Sequence, residues 1–364
     1  MSKLNKEPLL HITKRKELPL AKTWAIRIGA IVAALIVSAI VTMLLTGLDP
    51  FSVFGTMIYG AVGTERKMLL LLKELAVLLS VALALTPAFK MKFWNLGGEG
   101  QILMGAWATA LCMIYMGDSI PSGLLIIICL AAAIICGAIW AVIPAFFKAK
   151  WNTNETLFTL MMNYVATSIV ACMTNILRGK ASSLGKLNMS TQVGWFPQFL
   201  GQRYNINILI VVILMFVMFF YLKYSKQGYE ITVVGESENT ARYAGINVKW
   251  VTIRTMIISG AICGLVGFLI VAGRDQTIST TSAGGNGFTA IIVAWLAKFN
   301  TFYMALISFL LIFLSKGAAE IASAYSLNDY AASIIEGVIL FFILGSEFFI
   351  NYKMIFRGSK KEVH

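Results

Sequence analysis

Apolar residues dominate ten stretches of this chain, at about 24–47, 68–89, 99–116, 122–147, 155–177, 206–224, 252–272, 288–297, 302–323 and 331–350. Polar and charged residues gather in the intervals between them. About 20 apolar residues in a helix cross a hydrocarbon core of about 30 Å. The pattern therefore predicts an all-α polytopic membrane protein with about ten transmembrane helices. The stretch 288–297 is too short to cross and reads as a half-helix, which is tolerated where protein or a cavity surrounds its ends. One polar island, 227–246, separates the spans 206–224 and 252–272. Within it Asn239 is expected to cap a short helix over 240–244, and Gly245 to end it.

Composition sharpens this picture. The 364 residues are 58% hydrophobic and only 13% charged, against about 25% charged in soluble domains. The formal net charge of +13 sits at the ends of the apolar stretches and forms no basic stripe, so no nucleic-acid partner is expected. With ten crossings and an inner N-terminus, 19 Lys and Arg fall on the inner side and 7 on the outer side. Basic residues concentrate on cytoplasmic loops, so both termini and the 227–246 island are placed in the cytoplasm. The expected layout is a cytoplasmic tail over 1–23, a transmembrane domain over 24–350 and a cytoplasmic tail over 351–364. The stretch 24–48 lacks a small-x-small cleavage site and reads as an uncleaved first span. The outer loop 179–205 carries Trp195, Phe196 and Pro197, which either pack over the mouth of the path or receive an external partner.

The candidate chemistry is sparse. There is no G-x-x-x-x-G-K-[ST] run, so no P-loop. The two histidines, His11 and His364, lie in the tails, and the five cysteines lie in apolar runs without ligand spacing. No catalytic set and no metal site is expected. Charges inside spans face protein or water. Glu99, Glu336 and Glu347 are such charges, as is Lys73 beside Glu74. Lys316 and Glu320 are spaced to pair with each other. Thr153 or Asn154 is expected to cap the helix that follows, with Thr159 and Asn163 on one face of it. That pair serves either the solute path or helix packing. Gly260 and Gly264 form a G-x-x-x-G, a signal for close helix approach. Asn95-Leu96-Gly97-Gly98-Glu99-Gly100 and Gly284-Gly285-Asn286-Gly287 echo each other ahead of two apolar stretches. Broken helices at matching places mark transporters built from two related halves, and two structurally related halves are expected here.

Four stretches carry a resemblance: 95–105 (NLGGEGQILMG), 154–164 (NETLFTLMMNY), 228–246 taken with 259–267, and 287–297 (GFTAIIVAWLA). In this order they resemble the permease subunit of bacterial ABC importers for nucleosides and simple sugars, in the group that includes branched-chain amino acid and ribose-type permeases. The form of 154–164 is closer to the nucleoside-type permeases. The sequence departs from the family after Ala297. The usual Gly-Arg/Lys-x-x-Pro turn is replaced by Lys298-Phe299-Asn300-Thr301, and Trp295 replaces a smaller aliphatic.

The resemblance implies a multi-pass protein of the bacterial plasma membrane and a set of partners. These are ABC ATPase subunits that hold ATP and magnesium, a second permease chain forming a heterodimer, and an extracytoplasmic substrate-binding lipoprotein. The chain itself needs no cofactor. The 227–246 stretch would be the coupling element, with Gly235, Glu238, Asn239, Arg242, Tyr243 and Gly245 meeting the ATPase. Asn95, Glu99, Gln101, Thr159, Asn163, Asn286 and Phe288 would line the substrate path. Trp107, Tyr164, Trp195 and Phe288 are candidates to stack a nucleobase. The alternatives are the same role for a ribose-like sugar, and a stand-alone secondary transporter or channel. An integral-membrane enzyme finds no base or metal set in this sequence.

Overall fold

The computed structural model of the chain describes residues 10–15, 18–47, 49–179, 184–326 and 329–356. Its helices are α1 (Leu20–Thr46), α2 (Pro50–Val62), α3 (Glu65–Lys90), α4 (Gly98–Met116), α5 (Ser122–Trp151), α6 (Glu155–Arg178) and α7 (Asn205–Tyr224). They continue as α8 (Lys226–Glu236), α9 (Glu238–Tyr243), α10 (Val248–Leu269), α11 (Asn286–Leu296), α12 (Thr301–Ala324) and α13 (Asp329–Asn351). A π turn, Ile270–Arg274, extends α10. Among the described residues seven helices are long and apolar enough to cross a membrane: α1, α3, α5, α6, α7, α12, and α10 with its π turn. The helix α11 is shorter, as the sequence indicates. So is α2, which the hydrophobic pattern does not reveal. It starts where Asp49 accepts the Ser52 amide and Pro50 fills a first-turn position that needs no amide donor.

The chain divides into two compact units, residues 1–68 with 313–364, and residues 69–312. In the first, α1 packs along α13, and two strands complete it. β1 (Leu10–Lys14) pairs antiparallel with β2 (Tyr352–Phe356), with Leu10 opposite Phe356 and Lys14 opposite Tyr352. This ribbon corrects the all-helical expectation and brings the two segments read as tails together. Charges at membrane depth pair within this unit. Arg27 meets Glu347 at 2.5 Å and Lys67 meets Glu320 at 2.7 Å. Glu320 thus takes a partner 253 residues away rather than its helical neighbour Lys316. The Glu336 side chain lies outside the described residues, as do His364 and residues 1–9, 16 and 17 of the 1–23 tail.

In the second unit α4, α5 and α10 form the centre. A Cβ on Gly264 would strike the carbonyl oxygen of Ala133, and one on Gly260 would strike that of Gly137. The G-x-x-x-G of α10 therefore brings its backbone against α5, the close approach that small residues permit between membrane helices. The π turn has a local cause. Asn207 of α7 donates from Nδ2 to the carbonyl of Leu269 at 2.9 Å, and the Asp275 amide reaches back to Ile270. The carbonyl taken by Asn207 shifts the ladder by one residue, the irregularity that defines a π bulge. Cys129 and Cys263 are buried as expected, whereas Cys172 is exposed.

Candidate functional site

The turn that opens α4 is built from buried amides. The Asn95 side chain accepts the Gly97 amide at 3.0 Å and the Gln101 side-chain amide at 3.2 Å. It also donates to Ser259 of α10 at 3.4 Å. Two residues of α6 clamp the same turn. Asn163 accepts the Gly100 amide at 2.8 Å and donates to the Leu96 carbonyl at 2.8 Å. Thr159, one helical turn earlier, accepts the Leu96 amide at 3.1 Å. They face this turn because Asn154, accepting the Leu157 amide, sets where α6 begins. The groups thus occupied are orphan donors and acceptors of a helix start, which cost free energy when buried unpaired. Asn95, Gln101, Thr159 and Asn163 are all buried.

Glu99 lies in the first turn of α4 and serves a different helix. Its Oε1 accepts the Gly285 amide at 2.8 Å, and its Oε2 accepts the Gly287 amide at 2.9 Å. A carboxylate on the first amides of a helix satisfies orphan donors and opposes the positive end of the helix dipole. The bend before α11 depends on Gly285, whose φ of +72° is open to glycine and costly for other residues. Asn286 donates to the Ala283 carbonyl at 2.8 Å, and Phe288 is half-exposed beside the exposed Gly284 and Gly285. The two glycine-rich echoes of the sequence therefore meet, joined through one carboxylate.

The far end of α11 is fixed to the chain just before this turn. Trp295 stacks on Trp94 with centroids 5.4 Å apart and an interplanar angle of 20°. Phe89 meets both rings edge-on, and Phe299 packs against Trp295. The aromatic at 295 thus belongs to a cluster. The turn that follows manages without glycine or proline. Lys298 and Phe299 take positive φ, and Asn300 accepts the Phe302 amide at 3.0 Å to start α12.

The polar island forms two helices rather than one. Ser225 caps α8 by accepting the Gly228 amide at 2.9 Å. Gly235 then lies so close to α3 that an added Cβ would strike the Lys90 carbonyl. Ile231, Val234 and Ala241 join Ala88, Met91, Phe93, Ala141, Ala145, Val251 and Met256 in one buried cluster. Glu230 and Arg254 pair at 3.0 Å beside it. The cap of α9 is Ser237, accepting the Thr240 amide at 3.2 Å. The expectation that Asn239 caps it is corrected by two residues, to Ser237. Gly245, at φ +75°, ends α9: its own amide reaches Arg242, and the Ile246 amide reaches Ala241. Glu238 and Arg242 pair on the exposed side at 3.2 Å, and Tyr243 is 94% exposed.

At the end of α10 remote from α9, the 184–205 segment folds onto the helix. The Phe196 amide donates to Ala272, and the Phe196 ring meets Phe268 at 5.3 Å. Trp195 is buried, with its indole N–H on the Leu187 carbonyl at 2.8 Å. Of the other stacking candidates, Tyr164 is exposed on α6 and Trp107 is partly buried. The sequence reading missed Arg274, which holds Asp275 at 2.7 Å and Glu74 at 3.3 Å.

Helices of membrane length joined by buried polar turns, with one exposed capped helix among them, define a polytopic membrane protein. The chain belongs to the family described as branched-chain amino acid transport system / permease component, which matches residues 67–344. It is a multi-pass membrane protein of a transport family, not of an enzyme family.

Three relatives are similar over most of their length. The glucose ABC transporter permease protein TsgB13 of Haloferax volcanii is 25% identical, covering 95% of this chain and 93% of that protein. The guanosine ABC transporter permease protein NupP of Bacillus subtilis is 27% identical over 87% and 92%. The nucleoside ABC transporter permease protein NupB of Lactococcus lactis is 27% identical over 86% and 88%.

Proposed function

We propose that this chain is the permease subunit of an ABC importer that moves nucleosides across a bacterial plasma membrane, driven by separate ATPase subunits. The observation that carries the reading is α9. A six-residue helix with a serine cap, a glycine stop and an almost fully exposed tyrosine is seated on a hydrophobic cluster drawn from the ends of α3, α5 and α10. Such a helix is placed to receive a push from a partner and pass it to several spans at once. Glu238, Asn239, Arg242 and Tyr243 form the contact with the ATPase, while Gly235 and Gly245 shape the element. ATP and magnesium belong to those partner subunits.

The 227–246 element faces the cytoplasm, as do the segments 1–23 and 351–364, and 24–350 is the permease domain. The pairing of β1 with β2 supports tails on one side, and so an even number of crossings, ten in this reading. A second permease chain completes the path in a heterodimer. The exposed Gly284, Gly285 and Phe288 beside Glu99 offer a surface for it. A substrate-binding lipoprotein delivers solute from outside. The echo of the two glycine-rich turns supports two related halves. Glu99, Asn286 and Phe288 border the path, and Asn95, Gln101, Thr159 and Asn163 hold its wall in position.

A simple sugar is the second reading of the solute. It is favoured by the likeness to a glucose permease protein along almost the whole chain. The experiment for the class is uptake in proteoliposomes containing the full complex. Solute should accumulate with ATP and without an ion gradient. Accumulation by this chain alone on an ion gradient would show a secondary transporter instead.

A further inference from the structure

We infer that the Glu230–Arg254 ion pair is the joint through which the 227–246 element moves α10. Glu230 stands on α8 and Arg254 on α10, and Glu230 Oε2 lies 3.0 Å from Arg254 Nη2. Each side chain is only 16% exposed. Tyr221 of α7 neighbours both charges and donates its hydroxyl to the Gln227 side chain, at the start of α8, at 3.1 Å. Three helices therefore converge on this pair.

Without this pair α8 is already seated. Gly228 lies against the Tyr221 and Leu222 carbonyls, and Gly235 against that of Lys90. Ile231 and Val234 enter the buried cluster, where α10 contributes Val251 and Met256. Apolar burial is non-directional, so that surface alone lets α8 slide along α10. Two opposite charges away from water fix both distance and direction, because their attraction is strong and falls with separation. Stability is not what the pair adds. Buried pairs are commonly replaced by apolar side chains of similar volume without loss. Arg254 also meets Glu230 through Nη2 alone, and its Nε is buried with no partner among the described residues. A pair so incompletely satisfied contributes little stability, and what remains to it is a directional link.

α10 is built to carry a displacement as a rod. From Arg254 it continues to Arg274, about 30 Å at 1.5 Å per residue. Gly260 and Gly264 hold it against the α5 backbone on the way. At its far end Arg274 holds Glu74 and Asp275, and Ala272 accepts the Phe196 amide. A push entering at Arg254 therefore reaches α3 and the 184–205 segment.

The transmitting role rests on the importer reading, whereas the link between α8 and α10 rests on its own geometry. The test compares the wild type with Glu230→Met/Arg254→Met, which removes both charges and keeps the bulk. Two measurements use the full chain alone in nanodiscs: thermal unfolding, and hydrogen exchange of the α8 amides 231–236. Two use the full complex in proteoliposomes: retention of the ATPase, and ATP hydrolysed per molecule of radiolabelled guanosine or glucose imported. The Met pair should melt as the wild type does and keep the ATPase. Its α8 amides should exchange about tenfold faster, and ATP consumed per solute should rise about tenfold, as the push is lost between α8 and α10. A variant that no longer folds, or that sheds the ATPase, would show a structural pair and overturn the proposal. So would unchanged α8 exchange, or an unchanged ratio of ATP to solute. Faster α8 exchange in the variant, with a wild type that imports nothing on ATP, would sink the importer reading and leave the link standing.

Discussion

Glu99 Oε2 accepts the amide hydrogen of Gly287 at 2.9 Å, across 188 residues of sequence. This bond joins the starts of α4 and α11. α4 runs on to Met113 beneath Gly194, and α11 runs back to Trp94. The segment from Phe89 to Glu99 therefore holds both ends of α11. At Lys90 and Met91 the same segment is the seat of Gly235. The cytoplasmic element of this reading and the broken helix share one short piece of chain.

Replacing Glu99 by alanine removes a charged cap from α11. Loss of a helix cap costs about 0.5–2 kcal/mol. Hydrogen exchange of the 285–287 amides should speed up by about tenfold, the factor that 1.4 kcal/mol corresponds to. Uptake should fall while α4 and α5 keep their protection. Glu99→Gln retains a hydrogen-bond acceptor and should lie between the two. Unchanged exchange at 285–287 in Glu99→Ala would remove this role.

Much of this fold can be read in the sequence, and the residues show why the rest cannot. The apolar runs mark the helices because burying a span needs a continuous stretch, and α11 is recognisably too short. Asn154 and Gly245 act locally, so their roles are visible in their neighbours. Ion pairs are different. Glu347, Glu320 and Glu74 are evident as costly charges in apolar runs, yet their partners Arg27, Lys67 and Arg274 lie at least 200 residues away. Only the fold can choose them. Asn239 and Ser237 are both competent caps two positions apart. The packing of Ala241 into the cluster below selects Ser237 by fixing which face of α9 is buried.

Asn163 should matter more than its polarity suggests. Asn163→Leu strands the Gly100 amide and the Leu96 carbonyl in a buried turn, at about 1–3 kcal/mol for each group. The melting temperature of the purified protein should drop clearly, and by more than in Thr167→Val, whose hydroxyl bonds only within its own helix. Equal melting of the two variants would argue against the clamp.

The Trp94–Trp295 stack can be weighed with a double-mutant cycle. Leucine at each position singly and at both together should reveal a coupling of about 0.5–1.5 kcal/mol beyond buried area. Thermal unfolding read by intrinsic fluorescence supplies the values. Strict additivity would show that the rings are neighbours without interaction.

Gly235→Val drives a branched side chain into the Lys90 carbonyl. Overpacking of this kind costs about 1–3 kcal/mol, and here it should lift α8 off the end of α3. ATP-driven uptake should fall about tenfold or more, with the chain still inserted at normal level in the membrane fraction. Normal uptake by Gly235→Val would mean that this contact does not carry the motion.

The central claim is that α9 is where the ATPase meets this chain. The direct measurement is co-purification of ATPase subunits with Arg242→Glu/Tyr243→Ala, together with ATP-driven uptake by the same preparation. Both residues are exposed, so the fold should melt as the wild type does. The account predicts that the ATPase is lost from the complex and that uptake disappears. ATPase retained at wild-type level with uptake intact would contradict it.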